Sequence, residues 1–183
     1  TYTLNLGFGS GVVVTGAGFL LNDEMDDFSI KPGVPNAYGV VGNEANQIEP
    51  GKRMLSSMTP TILLRDGEVA MVLGTPGGST IFTSVFQNIL NVIDFGMSPL
   101  EATGAARFHH QLLPPDVIYT QPDSPLPDET LSLLGERGYE TRSLYNYGDL
   151  QMIYHDGDSV RAASDPRNRG QSRVVEFATE ANE

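Results

Sequence analysis

Three observations predict a layered α+β fold. Two pairs of apolar runs each flank an Asp-Gly dipeptide, the stretch between them has helical periodicity, and the order is strands, helices, then strands. Residues 2–5 alternate as a short strand, and after a Gly-rich turn the β-branched run at residues 12–15 reads as a strand paired with it. Residues 22–53 turn polar and rich in Gly and Pro, too long for a routine connection and of the kind that carries sites or lids. In residues 61–73 two apolar runs surround Asp66-Gly67, which suits the positive φ that a type I′ turn needs at both central positions, so a β-hairpin is expected. Residues 81–95 are apolar at helical spacing, and Ser98, Pro99 and Glu101 form a capping box with proline in the first turn. A third helix is expected over residues 128–137, stopped by Gly138 in the left-handed conformation. Asp156-Gly157 separates two further strand candidates, so the chain ends in sheet before a polar tail at residues 176–183.

The 183 residues, without repeats, low-complexity blocks or a boundary, read as a single domain. Apolar residues are 39% with no Trp, so Leu, Ile, Val, Met and Phe must build the core. Acidic side chains outnumber basic ones 23 to 11, and the net charge of −12 repels phosphate backbones, which argues against nucleic acid as a partner. No apolar run approaches the roughly 20 residues a membrane helix needs, and the first residues carry neither a basic nor an apolar signal region. With no Cys, disulfides, thiol nucleophiles and cysteine zinc sites are excluded together.

Several local patterns could carry chemistry. Residues 74–80, Gly-Thr-Pro-Gly-Gly-Ser-Thr, join a strand to a helix, so backbone N–H groups could converge on an anion there. The Lys of a phosphate-binding Walker loop is missing, which leaves an oxyanion hole or a plain tight turn. Ser56-Ser57 offers two hydroxyls to a site or to an ordinary loop. Asp23, Glu24, Asp26 and Asp27 could hold a cation or ammonium group, or form a solvated acidic loop, and the spacing of a calcium-binding EF-hand is absent. Adjacent His109 and His110 diverge on any regular element, a poor geometry for a shared metal, so neither metal nor cofactor is expected. Asp165, Pro166 and Arg167 suggest an ion pair or capping turn, of little weight if exposed.

Seven segments in order resemble the small, C-terminal subunit of the γ-glutamyltranspeptidase family: residues 1–5, 18–29, 31–39, 51–62, 74–79, 101–111 and 163–167. Together they span nearly the whole chain. The resemblance implies an αββα four-layer sandwich of the N-terminal-nucleophile hydrolase type, incomplete without a large subunit cut from the same precursor. It implies transfer of a γ-glutamyl group from glutathione or a related compound to an amino acid, a peptide or water, through a threonine acyl-enzyme. The family nucleophile is the first residue of the small subunit, with its own α-amine as base. An α-amine titrates near about 7.7–8.0, so a useful fraction is neutral at physiological pH. Thr1 is not that residue, because residues 1–5 resemble the family's second strand; this chain is therefore expected to lack the nucleophile and to be inactive alone.

Carried over residue by residue, Thr3 matches the threonine that orients the nucleophile hydroxyl. Asn5, Glu24 and Asp27 match the positions that hold the substrate α-ammonium, and Ser56 and Ser57 those at its α-carboxylate, where the family adds an Arg from the large subunit. Gly77 and Gly78 match the oxyanion-hole pair, and residues 32–43 resemble a lid loop with Tyr38 as its closing aromatic. Bacterial members are exported, so a periplasmic or secreted location is implied. The alternatives are a related glutaryl or cephalosporin acylase, which Glu24 and Asp27 disfavour, and a non-catalytic fragment or binding module.

Overall fold

In the computed structural model, which describes residues 3–145 and 148–175, the regular elements run in the expected order. They are β1 (Thr61–Arg65), β2 (Glu68–Gly74), α1 (Ile81–Ile93), α2 (Pro99–Gly104), β3 (Phe108–His109), β4 (Val117–Thr120), α3 (Asp128–Glu136), β5 (Glu140–Ser143), β6 (Gln151–His155) and β7 (Val160–Ser164). Asp66 (φ 53°) and Gly67 (φ 89°) close the β1–β2 hairpin as the type I′ turn requires. The second hairpin differs: its loop is four residues, because the Asp156 carboxylate accepts the Asp158 and Ser159 amides at 2.9 and 2.8 Å. Those bonds, the Ser159 amide first, lower the Asp156 pKa to about 2. The capping box forms, with Ser98 Oγ accepting the Glu101 amide and Glu101 accepting the Ser98 amide. Gly138 (φ 90°) ends the third helix.

One sheet has the order β1-β2-β6-β7 and is antiparallel throughout. The period of two sends Leu63, Met71, Leu73 and Met152 to the face covered by α1 and α2, where Val85, Val92, Ala102 and Leu150 complete the core. Each fully buried Leu, Val or Met among them contributes about 1.5–3 kcal/mol. Ile62, Val72, Ile153 and Ala162 stand in register on the opposite face. That face is uncovered: Ile62 is 65% and Ile153 51% exposed. The smaller sheet, β3-β4-β5, meets α1 through β3 and leaves this row open. Among the described residues, no helix is long and apolar enough to cross a membrane.

Two expectations need correction. Residues 3–5 form no strand: Asn5 adopts a left-handed φ of 72°, with its amide taken by Thr3 Oγ1 at 2.9 Å, which breaks the extended run. Residues 12–14 pair instead with residues 19–21, through Val14 N–H to Phe19 O and Leu21 N–H to Val12 O, both 2.9 Å. Residues 1–2 and the tail at 176–183 lie outside the described residues.

The second correction concerns Asp165, which is fully buried rather than part of a weak exposed pair. It accepts Arg107 Nη2 at 2.8 Å and Arg167 Nε at 2.7 Å, while Arg167 also donates to the carbonyls of Thr103 and Ala105 at the C-terminal end of α2. Burial alone would raise the Asp165 pKa, but the Arg167 hydrogen bond and the Arg107 charge outweigh it and hold it low.

Candidate active site

Where β2 leaves the sheet, the chain makes a turn that only glycine tolerates. Gly77 has φ 144° and Gly78 φ 56°, and a Cβ on Gly77 would stand 2.7 Å from Thr80 Oγ1. Buried Thr80 donates its hydroxyl to the Gly77 carbonyl at 2.9 Å and fixes the entry into α1. Among the described residues, the amides of Gly77 and Gly78 have no acceptor, and both residues line a cleft of about 990 Å³. Two unpaired N–H groups just before a 13-residue helix make a local field that favours negative charge.

Across the cleft, a short 3₁₀ turn, Glu24–Asp27, brings two carboxylates together. Asp27 is buried and accepts the Ser57 hydroxyl at 3.1 Å. The Glu24 pKa is raised, first by burial, then by the Asp27 charge and a hydrogen bond shared with Asp27. A Glu24 carboxyl whose charged form is disfavoured in this way is one that an ammonium group would stabilise as the carboxylate. Thr3, Asn5, Glu24, Asp27 and Ser57 line the same cleft as the glycines. Thr3 Oγ1 accepts the Asn5 amide, so its own proton stays available. Ser56 does not join them: it is exposed, and its hydroxyl accepts the Met58 amide at 3.2 Å. The cleft floor is the open sheet face, including Ile62, Val72 and Ile153.

Tyr38 bridges these two walls. Its hydroxyl donates to the Asn5 carbonyl at 3.0 Å and to Asn5 Oδ1 at 2.9 Å, and its ring lies so close to Gly78 that a Cβ there would overlap it. Burial first, then the Asp23 and Asp27 charges, raises the phenol pKa, so Tyr38 stays a neutral donor. It lines a second cavity of about 300 Å³, whose wall shares Asp27 and Ser57 with the cleft. Behind the loop, Gln111 Nε2 donates to the Gly39 carbonyl at 3.1 Å and the Leu113 carbonyl at 3.2 Å, leaving its Oε1 to accept from His109 Nε2 at 3.0 Å. His109 Nδ1 then accepts from Thr83 Oγ1 at 2.9 Å, and burial lowers the His109 pKa, which keeps the ring neutral. His110 turns away to meet Tyr139.

Two further residues, Gly148, which packs on the glycine turn, and Arg173, which lines the cleft, carry no distinctive sequence signal of a site, and Thr75 stands in the 74–80 motif without being distinguished there. A glycine in a loop next to an aspartate was the only available signal, and it is too common to single out Gly148.

The γ-glutamyltranspeptidase family model matches residues 1–175. The chain is 59% identical over 176 residues to a glutathione hydrolase proenzyme of Pseudomonas aeruginosa, covering 96% of this chain and 32% of that protein. It is 49% identical over 170 residues to a glutathione hydrolase proenzyme of Escherichia coli, covering 92% of this chain and 29% of the relative. The chain thus spans about a third of the length of these curated relatives. Among solved structures, γ-glutamyltranspeptidase of Pseudomonas nitroreducens in complex with L-DON superposes with a TM-score of 0.90 at 59% identity, covering 96% of this chain and 92% of that one. A cephalosporin acylase of Bacillus halodurans superposes at 0.80 with 26% identity, covering 96% and 31%. Fold, glycine turn and acidic wall thus occur in a chain that belongs to the γ-glutamyltranspeptidase family.

Proposed function

We propose that this chain supplies the γ-glutamyl pocket and oxyanion hole of an enzyme that transfers the γ-glutamyl group of glutathione, or a related compound, to an amino acid, a peptide or water. Residues 1–183 are read as one domain with a lid at residues 32–43. The observation that carries the reading is the single cleft shared by Thr3, Asn5, Glu24, Asp27, Ser57, Gly77 and Gly78. A γ-glutamyl donor has an α-ammonium, an α-carboxylate and a γ-carbonyl. Glu24, Asp27 and the Asn5 amide oxygen suit the three-donor ammonium; Ser57 suits the carboxylate, a role the resemblance alone extends to Ser56; the two glycine amides suit the carbonyl oxygen as it becomes an oxyanion.

The nucleophile is a threonine outside these residues, oriented by Thr3 and deprotonated by its own α-amine. Its oxygen attacks the γ-carbonyl carbon, and the tetrahedral oxyanion takes the Gly77 and Gly78 hydrogens, worth on the order of 10²–10³ in rate per donor. The intermediate collapses as the proton passes to the departing amine, leaving an ester. An acceptor amine or water then attacks that ester and restores the threonine. Closure of Tyr38 over Gly78 excludes bulk water from the acyl group.

The large subunit of the same precursor is the partner, and the uncovered row of Ile62, Val72 and Ile153 is the face such a partner would meet. The periplasm or the exterior is the location, in keeping with bacterial relatives. An acylase for glutaryl side chains would bind a donor without an α-ammonium and would have no use for two carboxylates. The deciding experiment replaces Glu24 and Asp27 together by alanine in the assembled enzyme. Turnover of a γ-glutamyl anilide should fall far more than that of the glutaryl anilide, and equal losses would refute the ammonium pocket.

A further inference from the structure

The Gly77 N–H belongs to the peptide that follows Pro76, and a neighbouring side chain holds the other end of that peptide. The proline ring fixes φ of Pro76 near about −65°. The planar trans peptide between Pro76 and Gly77 points its carbonyl and its N–H to opposite sides. Whatever holds the Pro76 carbonyl therefore aims the Gly77 hydrogen. Thr75 Oγ1 donates to that carbonyl at 2.7 Å, and the same oxygen accepts the Asp149 amide at 2.9 Å. Because the Asp149 amide occupies a lone pair, the hydroxyl proton is left for Pro76. Gly148 (φ 80°) closes the outer side: a Cβ there would overlap both the Pro76 oxygen and Thr75 Oγ1. Asn168 Nδ2 donates to the Gly148 carbonyl at 3.2 Å and ties that loop to the residues after β7.

We propose that Thr75, backed by Gly148 and the Asp149 amide, is the positioning residue of the oxyanion hole, clamping the Pro76 carbonyl outward so that the Gly77 N–H faces the cleft. The inference rests on the reading of Gly77 as an oxyanion donor. Rotation of this one peptide would turn an acceptor oxygen toward the developing negative charge, replacing an attraction by a repulsion. Thr75 therefore acts on the transition state, where the charge exists, and leaves ground-state binding at Glu24 and Asp27 alone.

The test uses the assembled enzyme carrying Thr75→Val, which keeps the shape and removes the proton, and Thr75→Ser, which keeps the hydroxyl. Because the donor is loosened rather than deleted, Thr75→Val should lower kcat on a γ-glutamyl anilide by about ten- to a hundredfold, with KM within about twofold, and Thr75→Ser should restore most of it. A second readout is independent of turnover. Carbonyl-¹³C proline with ¹⁵N glycine restricts the signals from this chain to Pro32-Gly33, Pro50-Gly51 and Pro76-Gly77. The Gly77 amide should shift in Thr75→Val and stay in place in Thr75→Ser. A raised KM with kcat intact, or a Gly77 resonance unmoved in both variants, overturns the proposal. A wild-type enzyme without γ-glutamyl turnover refutes the functional reading, and the Gly77 resonance still decides the clamp.

Discussion

Replacing Gly78 by alanine should open the lid from the far side of its contact. The new Cβ occupies space filled by the Tyr38 ring, so the ring must leave, and with it the hydroxyl contact to Asn5. That hydroxyl faces two acceptors on Asn5 but has one proton, so it counts as a single hydrogen bond worth about 0.5–1.5 kcal/mol. Half of an aromatic burial of about 150–250 Å² adds roughly 2 kcal/mol. Lid opening should therefore become easier by about 3 kcal/mol, or roughly a hundredfold in amide exchange. The reporters are the amides of Gly33, Asn36 and Gly39, which donate to the carbonyls of Gly42, Val40 and Asn36. Hydrogen exchange of peptides spanning residues 32–43 measures them directly. Tyr38→Phe should accelerate exchange only about 2- to 13-fold, the value of the one bond. Gly78→Ala in a Tyr38→Ala background should add little to lid exchange beyond the left-handed strain of the glycine turn itself, since the obstructed ring is already gone. Multiplicative effects of the two substitutions, or lid protection unchanged in Gly78→Ala, would refute the ring-on-glycine contact as the closing element.

Three further outcomes are expected. Asp165→Asn leaves Arg107 and Arg167 without their shared counter-charge and should cost about 3–5 kcal/mol in urea unfolding at neutral pH. The depressed Asp165 pKa contributes stability above the unfolded value near about 3.9 and loses it as pH falls through the native one, so the gap to wild type should narrow on acidification. Glu24 carries a raised pKa and an ammonium favours its charged form, so donor KM should rise as pH falls through that raised value, and Glu24→Gln should flatten this limb of the profile. Gln111→Leu leaves the His109 Nε2 hydrogen and the Gly39 carbonyl unpaired; a penalty of about 1–3 kcal/mol should appear as faster exchange in the lid.

Features specified by neighbouring residues were legible in the sequence. The Asp66-Gly67 turn, the Ser98 capping box and the Gly138 stop each depend on chemistry within a few positions. The opening strand was misread because the left-handed bend at Asn5 is held by the Thr3 hydroxyl and by Tyr38, 33 residues away. The pairing around buried Asp165 reaches carbonyls at the end of α2, about 60 residues upstream, which no local pattern reveals. In the site, Ser56 and Ser57 were indistinguishable as neighbours, yet only Ser57 reaches Asp27, since successive side chains of an extended segment point apart. Nothing in the sequence distinguishes Thr75 from the rest of its loop, because its hydrogen bond to the Pro76 carbonyl depends on the Asp149 amide 74 residues away.

The bare sheet face also bears on how such a chain must be made. A row of branched aliphatic side chains beside β1, an edge strand among the described residues, is the kind of surface that favours self-association, by strand addition as well as by apolar contact. Released separately, two halves would have to find each other by diffusion in competition with that self-association. Translated as one polypeptide, as the proposed function implies, the covering half would be held at an effective concentration in the millimolar range, so capping would precede encounter with another copy. On that reading, a cut made only after the faces had met would keep that advantage and free a new amino terminus at the same time.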